Sequence, residues 1–345
     1  MRLARRIPLG LWYLALGAAL VGMLVVSVTS GTVRIPSGDV WAIIWHHLTG
    51  AVNPWWSQAR ETIVLESRLP RGLTAATVGA SLAIAGGAAQ GVTRNPLADP
   101  YLLGVSAGAG FGVVCATILG WTAGLAGWIV TPAAAFLGGM APMAIALAVA
   151  SALRTPTAMI LTGVAMGQVF SALVSFVLLV LANDRQLSGV MHWMAGGFGD
   201  ARWASVPIPA LALLSVGLVL VILGPQLDLL HAGEDGARAL GLPVHGFRIV
   251  VLLAVSLLAG CSVAVAGGIG FIGLLVPHVA AMLVGVRARR LLPVAGLIGA
   301  IALLAADTFA RSVSQQVEVP VGVVTALVGA PVFVIMLWRT QRKTS

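Results

Sequence analysis

Long apolar runs separated by short polar segments fill this chain. Ten runs fall at about 9–30, 64–91, 101–119, 127–152, 157–182, 203–223, 247–267, 270–286, 291–312 and 320–338. About 20 apolar residues cross a bilayer as a helix. Such a run must be helical in lipid, which offers no hydrogen-bond partners to backbone N–H and C=O groups. The pattern predicts an all-α polytopic membrane protein, with about ten transmembrane helices in one transmembrane domain over residues 1–345. The third and eighth runs are short and Gly-rich, so broken or tilted helices are expected there. The first run, Leu9 to about Val28, follows Arg2, Arg5 and Arg6 but is too long for a signal-peptide core, and it is read as a span.

Three polar segments interrupt the pattern. Residues 31–63 carry a partly amphipathic stretch at Val40–Leu48, and residues 183–202 form a second polar segment. The third is compact: Gly233-Glu-Asp-Gly-Ala-Arg-Ala-Leu-Gly-Leu-Pro243 has helix-forming chemistry closed by Gly and Pro. A short polar helix kept between spans is expected to touch something outside the membrane.

Charge sets the orientation. An even number of spans puts both termini on one side. Arg2, Arg5, Arg6, Arg94, Arg154, Arg238, Arg248, Arg287, Arg289, Arg290, Arg339, Arg342 and Lys343 fall on that side, thirteen of the twenty basic residues. Arg34, Arg60, Arg68, Arg71, Arg185, Arg202 and Arg311 fall on the other. The excess places both termini and the polar island in the cytosol. Composition agrees with a membrane location: 59% of residues are hydrophobic and 9% charged, against about 25% charged in soluble domains. The net charge of +9 is spread along the flanks of the runs rather than gathered in a patch, so nucleic acid is not an expected partner. Cys115 and Cys261 lie inside apolar runs without Cys or His at ligand spacing, which argues against a disulfide and a metal site.

Small residues recur at four-residue spacing at Gly87/Gly91, Gly108/Gly112 and Gly163/Gly167/Ser171/Ser175, the pattern that lets membrane helices approach closely. The last stripe also carries Gln168, and Gln168, Ser171 and Ser175 are read as candidates to line a water-filled path. Ala83–Gly87 recurs as Ala264–Gly268, each followed by a proline ten residues after the first glycine, Pro96 and Pro277. That is either a weak internal repeat of the kind transporters carry or chance in a Gly/Ala-rich chain.

Gly104-Val-Ser106-Ala-Gly108 fits the nucleophile-elbow pattern but opens a membrane helix with no strand before it, so a serine protease using His278 is disfavoured. His278 reads as a hydrogen-bonded helix-end residue. His46 and His47, beside Trp41, Trp45, Trp55 and Trp56, fit an interfacial aromatic belt. An ion-driven secondary transporter is the more serious rival, but it needs ionisable residues deep in the membrane. Only Asp307 is an acidic candidate well inside the runs, and it lies near an outer end.

Several segments combine into one resemblance: Arg68-Leu-Pro-Arg71, Arg94-Asn-Pro through Ser106-Ala-Gly108, the polar island, Gly267 to Pro277-His278, Ala306-Asp-Thr-Phe-Ala-Arg311 and Pro320 to Pro331. In this order the chain resembles the FecCD-type permease family over about residues 10–338. These are the membrane subunits of type II ABC importers for iron–siderophore complexes, haem and vitamin B12. The resemblance implies the type II importer permease fold in a bacterial cytoplasmic (inner) membrane. It implies a homodimer, or a dimer with a close paralogue, enclosing the pathway among membrane lipid. It also implies two ATP-binding cassette subunits inside and a periplasmic or lipid-anchored binding protein outside. The chain has no Gly-x-x-x-x-Gly-Lys-Ser/Thr loop, so no cofactor is expected on it, and ATP and Mg belong on the partner ATPase.

The resemblance gives the island, about 233–243, the role of coupling helix, with Glu234, Asp235, Arg238, Leu240 and Gly241 as the ATPase contacts. It gives Arg68, Arg71 and Arg311 the role of receiving carboxylates of the binding protein, a task suited to the guanidinium fork; Glu66 is near enough in sequence to pair with one of them. It places the cytosolic gate at Asn95 and Leu97 and at Thr155 and Thr157, where Pro156 interrupts the family's usual hydroxyl pair. Cargo cues conflict. Trp193–Phe198 resembles B12 permeases and Asn183–Leu187 resembles haem permeases. An iron chelate, haem or ferric siderophore, is expected first as the family's commonest cargo, and cobalamin is the alternative. Met191, His192 and Met194 are read as packing residues rather than iron contacts.

Overall fold

A computed structural model describes residues 8–31, 33, 35–50, 55–101, 103–122, 127–153, 156–313 and 318–341. Among these residues the structure is all helical. The apolar first run is α1 (Leu9–Thr29), and the amphipathic stretch of the outer segment is α2 (Ser37–Thr49). α3 (Gln58–Thr93) is the longest helix at 36 residues, which at 1.5 Å per residue is about 54 Å. α4 (Val105–Ile118), α5 (Gly127–Leu153) and α6 (Pro156–Leu181) follow, then α7 (Asp184–Met194) in the second polar segment. Asn183 opens α7 with a capping box: its side chain accepts from the Gln186 N–H, and the Gln186 side chain accepts from the Asn183 N–H. α8 (Pro207–Ile222) and α9 (Gly224–Ala232) are bent by 44° at Leu223. α10 (Glu234–Ala239) is the polar island, and α11 (Val244–Ala266), α12 (Ile272–Val284), α13 (Ala288–Val313) and α14 (Val321–Gln341) complete the chain.

Six described helices are long and apolar enough to cross a membrane, and a seventh crossing results if α8 and α9 form one bent span. α4, α12 and the apolar part of α14 are shorter. The 14 residues of α4 reach about 21 Å, short of a roughly 30 Å hydrocarbon core. α4 and α12 are the two runs whose brevity and glycine content mark them in the sequence.

α3 is the axis of the packing. Its apolar window is 83% buried, against 11% for α6 and none for α1. Its most extensive partner is α13, and the reason is a double glycine crossing. A Cβ on Gly79 would collide with the Gly299 carbonyl, and one on Gly299 with the Gly79 carbonyl. Lower on the same helix, a Cβ on Gly86 would run into the Gly273 backbone of α12. Where the hydrophobic effect does not drive helices together in lipid, such backbone proximity supplies dispersion contact instead. The Gly108/Gly112 stripe works the same way against Gly138 and Ala134 of α5. The suggested repeat does not extend to local structure: Gly86 is mid-helix, whereas Gly267 ends α11 with φ at +65° and its neighbour Gly268 follows the helix.

Two buried apolar clusters share α3. One gathers Val92, Leu227, Leu230, Ala237, Leu242, Phe247 and Leu292 around α10. The other gathers Val78, Leu82, Phe198, Ile269, Leu303 and Val321 towards the opposite end. A smaller cluster of Val28, Ile35, Ile43, Trp56 and Val64 seats α2 on the ends of α1 and α3.

Gly299→Val is expected to force α3 and α13 apart and cost about 1–3 kcal/mol or more, read as a lowered thermal midpoint and loss of monodisperse protein in detergent. Gly17→Ala, where an added Cβ meets nothing within 4 Å, is the control and should leave both unchanged.

Candidate functional site

The sequence-derived site residues fall into three groups along α3. Towards its N-terminal end, Arg68, Arg71 and Arg311 come together, and all three are buried at 4%, 7% and 8% exposure. The Arg71 guanidinium grips Asp307 of α13, with Nη2 2.7 Å and Nε 3.0 Å from one carboxylate oxygen. Asp307 is fully buried. Arg71 also pairs with Glu318, whose side chain is partly exposed ahead of α14. Arg311, one turn beyond Asp307, donates from Nη2 to the Ser27 hydroxyl at 2.9 Å and to the Ser27 carbonyl at 3.2 Å, and from Nη1 to the Ser30 carbonyl at 3.3 Å. Its Nε lies 3.1 Å from the Asp307 carboxylate but is not aligned to donate. Arg68 donates to the carbonyls of Val28 at 2.9 Å, Thr29 at 3.0 Å and Val33.

Each of these arginines is therefore engaged within the chain rather than held open at the surface. Arg68 and Arg311 close the C-terminal carbonyls of α1, a cation's natural place at a helix end, while Arg71 ties α3 to α13. Glu66 is exposed and, among the described residues, forms no ion pair; the acidic partners are Asp307 and Glu318. The π-helical stretch Ile63–Arg68 widens α3 immediately before this cluster. Neither Glu318 nor Ser27 carries a sequence signal, because their partners lie hundreds of positions away.

At the other end of α3 sits Asn95–Leu97, the segment to which the resemblance gives the gate. Arg94 closes the helix in the left-handed region at φ 54°. The Asn95 side chain then accepts the Leu97 N–H at 2.9 Å, the turn that Asn-Pro chemistry favours. Leu97 is 45% exposed and lines a small cavity with Pro96, Leu274, Leu275, His278, Phe333 and Met336. His278 is thus a mid-helix residue of α12 facing the gate segment, not a helix-end residue. Thr155 lies outside the described residues, and of Thr157 only its place in the first turn of α6 is described.

The polar stripe of α6 divides in two. Gly163 and Gly167 pack on the backbone of Gly104, where an added Cβ would come within about 3.1 Å of both. Gln168, Ser171 and Ser175 are exposed on the protomer's flank, with the Ser175 hydroxyl donating to the Ser171 carbonyl at 3.1 Å.

The third group is α10. Ala237 is fully buried and Leu242 nearly so, which fixes the helix in the core. Gly241, at φ +86°, reverses the chain so that its neighbour Leu242 can reach inward. The opposite face presents Asp235, Arg238 and Leu240, the last 64% exposed. Glu234 points back to Arg248 of α11 at 3.0 Å, an arginine that sequence reading takes only as one of the cytosolic charges.

Comparison with known proteins identifies the family of the chain as a whole. The FecCD transport family matches residues 19–339. The chain belongs to the FecCD transport family. The vitamin B12 import system permease of Citrobacter koseri is 39% identical over 306 residues, 89% of each chain. Its counterpart in Escherichia coli O139:H28 is 38% identical over 337 residues, 96% of each. An uncharacterized ABC transporter permease of Bacillus subtilis is 36% identical over 326 residues, covering 92% of this chain and 91% of that one. Among solved structures, an inward-facing ABC transporter assigned to the metal-chelate type matches with a TM-score of 0.82 and 31% identity, over 94% of this chain and 98% of that one. PsaBC from Streptococcus pneumoniae, at 0.54 and 19% identity, shares the fold. The chain is an integral membrane protein, the permease subunit of an ABC importer of the metal-chelate or B12 type.

Removing the shared carboxylate leaves buried guanidiniums without their counter-charge, which costs about 3–5 kcal/mol in comparable cases. Asp307→Ala should therefore lower the thermal midpoint sharply in a detergent melt, while Glu318→Ala, at the partly exposed edge, should change it little. Equal effects would contradict the division of roles.

Proposed function

We propose that two copies of this chain form a homodimer enclosing a pathway for a metal chelate, delivered outside by a binding protein and driven by two ATP-binding cassette subunits inside. The observation that carries this reading is α10. It is a core-anchored helix whose Asp235–Arg238–Leu240 face is exposed and, among the described residues, makes ion pairs only within the helix, on the side that the charge bias assigns to the cytosol. The absence of a phosphate-binding loop in the sequence supports assigning ATP and Mg to the partner subunit. The exposed Gln168–Ser171–Ser175 stripe supports placing α6 beside the pathway, since an exposed polar stripe on an otherwise apolar helix is unfavourable against lipid.

In the mechanism, nucleotide-driven closure of the ATPase pair pushes α10 as a rigid body. The gate, formed by Asn95 and Leu97 and by Thr155 and Thr157, then exchanges open and closed states. A loaded binding protein docks over Arg68, Arg71 and Arg311. All three are buried and engaged within the chain, which supports a role in shaping the docking surface, with partly exposed Glu318 at its edge.

Two cargoes stand on equal footing. The similarity to permeases named for vitamin B12 supports cobalamin, and the metal-chelate neighbour together with the family's usual cargo supports haem or a ferric siderophore. Reconstitution with the ATPase and binding protein decides. Uptake of cobalamin, but of neither iron chelate, into vesicles on addition of ATP is the expected signature of the first, and the reverse of the second. Uptake driven by an ion gradient without ATP would contradict both.

Replacing residues 234–242 by a Gly/Ser linker is expected to release the ATPase from the membrane fraction while the permease remains there. Undiminished co-purification would refute the coupling role of α10.

A further inference from the structure

Arg248 is buried at 8% exposure on the first turns of α11, and the roles assigned above do not use it. A buried arginine is costly unless its donors are met, and here they are met by two different moving parts. Its Nη2 lies 3.0 Å from the Glu234 carboxylate on α10, and its Nε donates to the Val92 carbonyl at 3.3 Å. Val92 is the second-last residue of α3, so its carbonyl is one of the four that a helix leaves unpaired at its C-terminus. The gate segment Asn95–Leu97 begins three residues later.

The chain of polar contacts continues past that point. Gln90, on the same last turns of α3, donates from Nε2 to the Leu274 carbonyl of α12 at 3.0 Å, with the carbonyls of Gly273 and Ala98 at 3.4 Å. Leu274 lines the same small cavity as Leu97. Glu234, Arg248, the end of α3 and the first turn of α12 thus form one continuous path from the coupling helix to the gate. Glu234 has a second basic partner, Arg238 at 3.4 Å, but that contact lies within the exposed helix itself and leads nowhere inward.

We propose that Arg248 is the positioning residue that carries displacement of α10 to the cytosolic gate, by holding the Glu234 carboxylate and the Val92 carbonyl with one guanidinium. The proposal rests on α10 being the ATPase contact. A guanidinium suits the task because its fork is rigid and engages two partners at fixed angles, whereas an apolar contact would let α10 slide over the end of α3.

The test uses the permease with its ATPase in lipid nanodiscs, where both faces are open. On a Cys115→Ser, Cys261→Ser background, Leu97→Cys reports the gate through its rate of modification by a charged maleimide. The rate is compared without nucleotide and after trapping with ATP and vanadate. Trapping should change the rate in the parent. Arg248→Met should still bind the ATPase but shrink that nucleotide response by about 2- to 30-fold, the range of measured coupling along such paths. Arg248→Lys, which keeps the charge but not the fork, should fall between. A parent-like response in Arg248→Met overturns the proposal. If Arg248→Met fails to assemble, Arg248→Lys decides in the same way: a reduced response supports the proposal and an unchanged one overturns it. Failure of the parent to bind the ATPase would instead refute the reading of α10. A parent that binds it yet shows no nucleotide response at position 97 would refute the gate and the proposal together.

Discussion

A bilayer interior contains no water, so every polar group the chain carries across it must find its partner inside the protein. α3 is where that constraint is met most densely. Its middle is sealed by glycine crossings that bring it against α13 and α12, and each of its ends is closed by arginine. Towards its N-terminal end, Arg71 joins it to Asp307 of α13 while Arg68 and Arg311 satisfy the last carbonyls of α1. At its C-terminal end, Arg248 satisfies the carbonyl of Val92. The rest of the protomer is arranged around this helix, whose charged residues are confined to its first 14 positions.

This arrangement suits a machine driven from one end. Polar groups placed deep in the spans would favour ion coupling, and the one fully buried acid, Asp307, is neutralised by Arg71 and flanked by Arg311 near an outer helix end. What remains free to engage partners lies at the surface: the Asp235–Arg238–Leu240 face of α10 and the flank of α6. In the proposed mechanism, work delivered at α10 is passed on through this packed core, since packed cores shift between discrete arrangements rather than deform continuously.

Much of this was legible in the sequence because the signals are local. Apolar run length gave α1, α3, α5, α6, α11 and α13, glycine content marked α4 and α12 as short, and the Gly/Pro-closed island gave α10. The 44° bend between α8 and α9 was not legible, because Gly224-Pro225 is equally compatible with a span ending or turning. The environment of the arginines was hidden for a different reason. Position in a run reveals that Arg71 lies near an outer end, but burial and the bond to Asp307, 236 residues away, emerge only when α3 and α13 cross. Arg248 was hidden by plausibility: a basic residue beside a cytosolic loop already has an explanation in topology, and only its two contacts show that it faces inward.

The central claim is that α10 is the surface on which the ATPase acts. A photo-reactive amino acid at position 240, exposed and clear of the core contacts that hold the helix, tests it directly in cells producing the permease with its neighbouring ATPase. Irradiation should yield a covalent product with the ATP-binding cassette subunit, and the same label at Trp121, on the far end of α4, should not. Equal yields at both positions, or none at 240 when the two proteins co-purify, would contradict the account.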